Sequence, residues 1–210
     1  MKLKIVLLLL LATQCAKCFC QVDSLKEVIP NSDFGIFTGA WTPTGNASVL
    51  GTHPFIGLKI GAIKKKFEFG VLEEFRFLRS SNDYQVVYDN NLVITHQFFS
   101  ALISGYLNYT LKQKLRYELL AIGGVGYDAL NPITKDPPKY PHTLTIGRFN
   151  KNLGLGWRYH PGKRNLSPYV GIECVYNFVD YSNNNGTPLD GNTISIRLVY
   201  GSIKEVHFVF

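Results

Sequence analysis

The sequence predicts an all-β protein: a closed, antiparallel, up-and-down transmembrane β-barrel of eight strands with a filled polar lumen. Three observations carry that expectation. From Phe67 to Phe77 the chain puts Phe67, Phe69, Val71, Phe75 and Phe77 on one parity and Glu68, Gly70, Leu72, Glu74 and Arg76 on the other. Successive strand side chains point to opposite faces, so one face is greasy and the other charged. Around a closed sheet that pattern puts lipid outside and polar groups inside. The second observation is that short and long connections alternate, and the third is that aromatic residues gather at both strand ends.

Residues 1–20 read as a cleaved export signal. Lys2 and Lys4 precede an apolar run from Ile5 to Ala12, and the small residues Cys18 and Cys20 stand before Gln21. That run is too short to span a bilayer as a helix. No small residue stands immediately before Cys15, Cys18 or Cys20 in the manner lipid attachment needs, so lipidation is not expected. Cleavage leaves Cys174 as the only cysteine, so the mature chain has no internal disulfide. Residues 21–32 are expected to form an N-terminal periplasmic segment. Val22–Ile29 makes at most one helical turn there, capped by Asp23 or Ser24. The barrel occupies residues 33–210.

Eight extended segments follow: Asp33–Pro43, Pro54–Ile63, Phe67–Leu78, Ile94–Leu111, Leu115–Asp128, Thr143–Tyr159, Pro168–Tyr181 and Asn192–Tyr200, the last running on as far as Phe210 in one reading. Each reaches the roughly 9–11 residues a tilted strand needs to cross a bilayer. Lys64-Lys65-Lys66, Lys112-Gln113-Lys114 and His160–Ser167 are the short connections. Thr44–His53, Arg79–Val93, Asn131–His142 and Ser182–Gly191 are longer and rich in turn formers. Short turns on one rim and long loops on the other mark outer-membrane barrels, with the turns in the periplasm.

With the apolar parity outward, the charges that fall inward are Lys59, Glu68, Glu74, Arg76, Arg116, Glu118, Asp128, Arg148, Arg158, Glu173 and Arg197. A barrel of this size is only wide enough for side chains to fill it, so these are expected to pair into a buried network. Glu73 and Lys151 fall on the lipid side under the same parity. Interfacial girdles are expected from Tyr109, Tyr117, Trp157, Tyr159 and Tyr169 beside the short turns. Trp41, Phe77, Phe99, Tyr127 and Tyr181 serve beside the long loops.

The formal charge of +7 falls to +4 once Lys2, Lys4 and Lys17 leave with the signal. The remaining bases are interleaved with acids and form no arginine-rich stripe, so nucleic-acid binding is not expected. No Cys/His pair has ligand spacing, and no metal or cofactor is expected. Gly124-Val125-Gly126-Tyr127-Asp128-Ala129 matches a dinucleotide fingerprint on paper, but Asn131-Pro132 follows where that motif needs a helix.

Several features resemble the small eight-stranded outer-membrane proteins of the OmpA/OmpX type and, more closely, the uncharacterised outer-membrane β-barrel proteins of Bacteroidota. They are the leader, Gly39-Ala40-Trp41-Thr42-Pro43-Thr44-Gly45 closing strand one, Ser167-Pro168-Tyr169-Val170-Gly171 opening strand seven, and the terminal Val206-His207-Phe208-Val209-Phe210. The resemblance implies that Val206, Phe208 and Phe210 form the signal read by the barrel-assembly machinery, although Lys204 and Ser202 depart from its alternation.

On this reading the protein is a monomer in a bacterial outer membrane, in contact with lipid and lipopolysaccharide. Its role is structural or interactive, with a possible extracellular ligand at the long loops and no catalytic residues. The enzyme alternative is a lipid A-modifying barrel. It would draw on His53, His96 or His142 with Ser80, Ser81, Asp83 or Asp128, but no spacing implies the required nucleophile–base geometry. A narrow small-solute channel is the other alternative, and it requires a gap among Arg76, Arg116, Arg148 and their acids. A soluble lipocalin-like barrel would instead have an apolar lumen.

Overall fold

The computed structural model describes residues 31–88, 91–133, 145–162, 168–182 and 188–204. Eight strands close in chain order into one antiparallel barrel. They are β1 (Asn31–Pro43), β2 (His53–Lys64), β3 (Phe67–Tyr88), β4 (Asn91–Lys114), β5 (Tyr117–Ile133), β6 (Ile146–Tyr159), β7 (Pro168–Phe178) and β8 (Thr193–Lys204). The ring is closed by β1 against β8, in register from Ser32↔Lys204 to Pro43↔Thr193. Strand eight therefore runs past Tyr200. Residues 1–30, with the signal and the helical turn, and Val206, Phe208 and Phe210 lie outside the described residues.

The wall is built inside out relative to a water-soluble barrel. Phe34, Ile56, Ile60, Val71, Leu107, Val125, Leu153, Leu155, Ile172 and Leu198 are exposed on its outer face, whereas Asp33, Lys59, Glu74, Arg76, Asp128 and Arg197 are buried within. Soluble monomers rarely expose a contiguous apolar surface of this extent. The alternation of β7, exposed and buried in strict turn from Pro168 to Phe178, follows the strand period of two.

Two connections differ from the sequence expectation. The turn-former-rich stretch Arg79–Val93, expected as a long loop, continues β3 and β4 into one extended hairpin whose register reaches Tyr88↔Asn91. A register shift between Arg79 and Tyr84 absorbs Ser80-Ser81-Asn82-Asp83, so polar residues that favour a turn are accommodated as a bulge. Leu115 and Arg116, expected to open strand five, form the tight turn before Tyr117. At the β2–β3 turn, Lys65 adopts a left-handed φ of 59°.

Beyond the long-connection end of β1, a 3-10 helix over Gly45–Leu50 buries Ala47 and Leu50. It is tied to the β7–β8 connection. The backbone amides of Thr44 and Ala47 donate to Asn192 and Asp190 carbonyls at 2.8 and 3.1 Å, and Asn46 Nδ2 donates to Asp190 Oδ1 at 2.6 Å. Gly45 and Gly191 take positive φ here, and a Cβ on Gly191 would sit 1.9 Å from the Thr44 carbonyl oxygen. Only glycine fits that approach.

Candidate functional site: a sealed column of charge

From the short-turn mouth up to an apolar cap at the other end, the lumen holds ionic groups that the strand parity turns inward. Nearest the short turns, His160 Nε2 lies 3.3 Å from Glu118 Oε2, both buried, with the imidazole against the Tyr169 ring. Above them, Lys59 is 3.1 Å from Asp33 and 3.2 Å from Glu68, and Arg158 Nη1 is 2.5 Å from Glu68. The Tyr169 hydroxyl donates to Asp33 at 2.9 Å, and Asn108 Nδ2 donates to Glu68 at 3.2 Å.

Glu173 and Arg197, cross-strand partners on β7 and β8, carry the network upward. Glu173 lies 3.9 Å from Lys59 and 3.8 Å from both Arg158 and Arg197, and Arg197 lies 3.3 Å from Glu74. Glu74 in turn lies 2.6 Å from Arg76, and Arg76 lies 3.0 Å from Asp128. Opposite charges so follow one another from Asp33 to Asp128. In a low-dielectric interior this alternation offsets the desolvation each ion suffers.

Aromatic faces pack against three of the cations. The Arg76 guanidinium stands 4.6 Å over the Trp41 ring, Arg158 4.7 Å over Tyr169, and Arg197 5.2 Å over Phe37. Trp41 also packs against Phe98 and Tyr181. With Leu50, Val86, Leu130, Val179 and Leu189 these rings make an apolar cap over the uppermost ion pair.

Of the charges expected inside, Lys59, Glu68, Glu74, Arg76, Asp128, Arg158, Glu173 and Arg197 meet in the network, and Glu118 lies below it against His160. Arg116 does not join them. It is exposed in the β4–β5 turn, because strand five opens at Tyr117, two residues later than the sequence segmentation placed it. Arg148 has inward parity opposite Asp128 but stands at the rim. Its Nε donates to the Asp180 and Ser182 carbonyls, each at 2.9 Å. Asp33 and His160 belong to the lumen and escaped the sequence reading, Asp33 as the first residue of its segment and His160 as the first of a connection.

Three of the expected girdle aromatics turn inward. Trp41, Tyr169 and Tyr181 share the parity of lumen residues and are fully buried. Tyr117 does face outward, stacked on Trp157 at 5.7 Å and packed against Tyr159 at 5.3 Å, and Phe67 packs on Tyr109 at 5.0 Å. Tyr127 faces outward near the other rim. The Phe77 ring lies outside the described side chains. Glu73 and Lys151 occupy outward positions in unbroken register.

The histidines weighed for catalysis have other neighbours. His53 is buried between Trp41 and Phe98, with its Nε2 directed at the Leu50 carbonyl. His96 lies 3.7 Å from Asp83, and Ser80 donates to the Asn82 carbonyl. Asp128 is committed to Arg76 and Ser100. His142 lies outside the described residues. The Gly124–Ala129 fingerprint runs along β5 with no helix following it.

No protein-family model matches the chain, and no curated protein matches it. Solved structures do. Neisserial surface protein A (NspA) aligns with a TM-score of 0.54 at 11% identity, over 83% of this chain and 97% of its own. Ail, the attachment invasion locus protein of Yersinia pestis, aligns at 0.44 and 12% identity over 83% and 97%. The outer membrane enzyme PagL aligns at 0.40 and 12% over 81% and 98%. At these identities the likeness to NspA speaks to architecture alone: the chain has the fold of the small eight-stranded outer-membrane β-barrels.

Proposed function

We propose that this chain is a monomeric integral outer-membrane protein, exported by a cleaved signal and folded by the barrel-assembly machinery. Its short turns face the periplasm. Its role is structural or interactive, exerted through the long-connection end, where the β3–β4 hairpin and the tied loop pair meet lipopolysaccharide or an extracellular ligand.

The sealed lumen is the observation that carries this reading. Arg76, Glu74 and Asp128 have no solvent-exposed side-chain surface, and the Trp41–Tyr181 cap lies above them. A filled barrel gives a solute no route, and its polar interior is unlike the apolar cavity of a soluble carrier. The engagement of His53 with Leu50 and the aromatic rings supports a role without catalysis.

Cell fractionation tests the location: the protein should co-sediment with outer membrane and migrate differently on gels before and after boiling. Planar-bilayer recordings test the role. The folded protein should give no steady conductance, and a reproducible open level would replace this reading with the channel.

A further inference from the structure

Two charged positions, Glu73 and Lys151, lie on the lipid face, and the interpretation of Lys151 rests on the membrane reading above. Lys151 projects outward from β6, opposite Val125 of β5 and Phe178 of β7, and has no ion-pair partner among the described residues. A lone lysine on a lipid-facing wall is unfavourable in proportion to its depth. One outward step toward the long-connection end stand Tyr127 and Phe149, a paired aromatic couple. The lysine stem can lift its ammonium to that level while its methylenes stay in hydrocarbon.

Beside Lys151 the wall is dented. A groove of about 890 Å³ runs over β3 to β7, lined by Phe69, Val71, Leu107, Leu153 and Phe178. Its floor is Gly105 and Gly123, diagonal neighbours across β4 and β5. Most glycines in this barrel are crowded. A Cβ on Gly57 would fall 2.3 Å from the Phe37 ring, and one on the outward Gly147 would fall 1.6 Å from the Tyr127 hydroxyl. At Gly105 and Gly123 a Cβ would meet nothing closer than 3.8 Å. Packing does not require glycine at either place, and its presence is what opens the groove.

We propose that this groove seats an acyl chain of an anionic, phosphate-bearing membrane lipid, whose headgroup pairs with Lys151. The outward strand neighbours of Lys151 (Val125, Phe149, Leu153 and Phe178) carry no charge, and Asp180, two residues beyond Phe178, accepts from the Ser182 amide at 2.9 Å, so the ammonium is left for an anion from the bilayer. Apolar groove and cation sit in the order that tail and phosphate take in a lipid leaflet.

Native mass spectrometry of the barrel released from bilayers of equal phosphatidylglycerol and phosphatidylcholine tests this. The parent protein should retain one lipid, favouring phosphatidylglycerol about fivefold, the effect of a single interfacial cation. Lys151→Gln should keep the lipid but lose the preference. Gly105→Leu with Gly123→Leu should lose retention of both lipids. Each variant is first shown to shift on boiling, which separates a failure of this site from a failure of the membrane reading. Equal retention of the two lipids by the parent, an unchanged preference in Lys151→Gln, or a lipid-free dimer through the groove would overturn the proposal.

Discussion

Arg76 and Asp128 rise from β3 and β5 on either side of β4 and meet at 3.0 Å, both fully buried. Ser100 of the intervening strand joins them, accepting from Arg76 at 3.1 Å and donating to Asp128 at 3.3 Å. Three consecutive strands are fastened across the lumen at one level, just beneath the aromatic cap. Interactions of this kind set which substitutions the barrel tolerates.

Glu68 is the acid on which the lower network converges, since Lys59, Arg158 and Asn108 all bond to it. Replacing it with alanine leaves Arg158 the 3.8 Å contact to Glu173 as its one ion pair among the described residues. Breaking a buried pair from one side costs about 3–5 kcal/mol. Urea unfolding in phospholipid bilayers should show a loss of that size for Glu68→Ala. Glu68→Gln, which keeps an acceptor for Arg158, should lose less.

The glycines separate into crowded and open classes, and alanine substitution should follow the division. Gly57→Ala puts a methyl 2.4 Å from the Glu73 backbone oxygen as well as against Phe37. Overpacking of this kind costs about 1–3 kcal/mol. Gly105→Ala should fall within about 0.5 kcal/mol of the parent, as surface changes usually do. A Gly105→Ala loss equal to that of Gly57→Ala is incompatible with an open wall at Gly105.

The two tryptophans report on opposite sides of the wall. Trp41 is buried in the lumen, whereas Trp157 is exposed beside Tyr117. In bilayers of brominated lipid, a Trp41→Phe variant that retains only Trp157 should be strongly quenched. A Trp157→Phe variant that retains only Trp41 should keep most of its emission. Equal quenching of the two is incompatible with the inward and outward faces described.

The tie between the 3-10 helix and the β7–β8 connection should govern local opening. Asp190→Ala removes the Asn46 bond, and Gly191→Ala meets the Thr44 carbonyl. Either change should speed proteolysis within Thr44–Leu50, with Gly191→Ala the faster, while the membrane-embedded core stays resistant. Cleavage at the parent rate in both would mean that the loop pair is held elsewhere.

Strand number, order and parity were legible in the sequence, because lipid outside and ions inside force an alternation that survives in stretches such as Phe67–Arg76. Depth and rim geometry were not. Ser80–Asp83 reads as a turn on propensity, yet the β3–β4 ladder continues through it with a register shift. A tryptophan at a strand end can belong to a girdle or a plug, and Trp41 belongs to the plug because Asp33 and Phe37 share its parity. Arg116 shows the reach of a two-residue boundary error, which moves a side chain from the buried interior to water. The open floor at Gly105 and Gly123 has no local sequence signal, since it depends on what neighbouring strands place nearby.

Closure through β1 and β8 ties the beginning of the described chain to its end, with Ser32 opposite Lys204. The first strand therefore has an unfilled ladder until the last has been delivered, and loop-closure entropy must be met before that seam rewards it. Without Thr193–Lys204 the sheet would keep two unpaired margins, one on β1 and one on β7. Truncation before Thr193 therefore opens the ring at both neighbours of β8 at once.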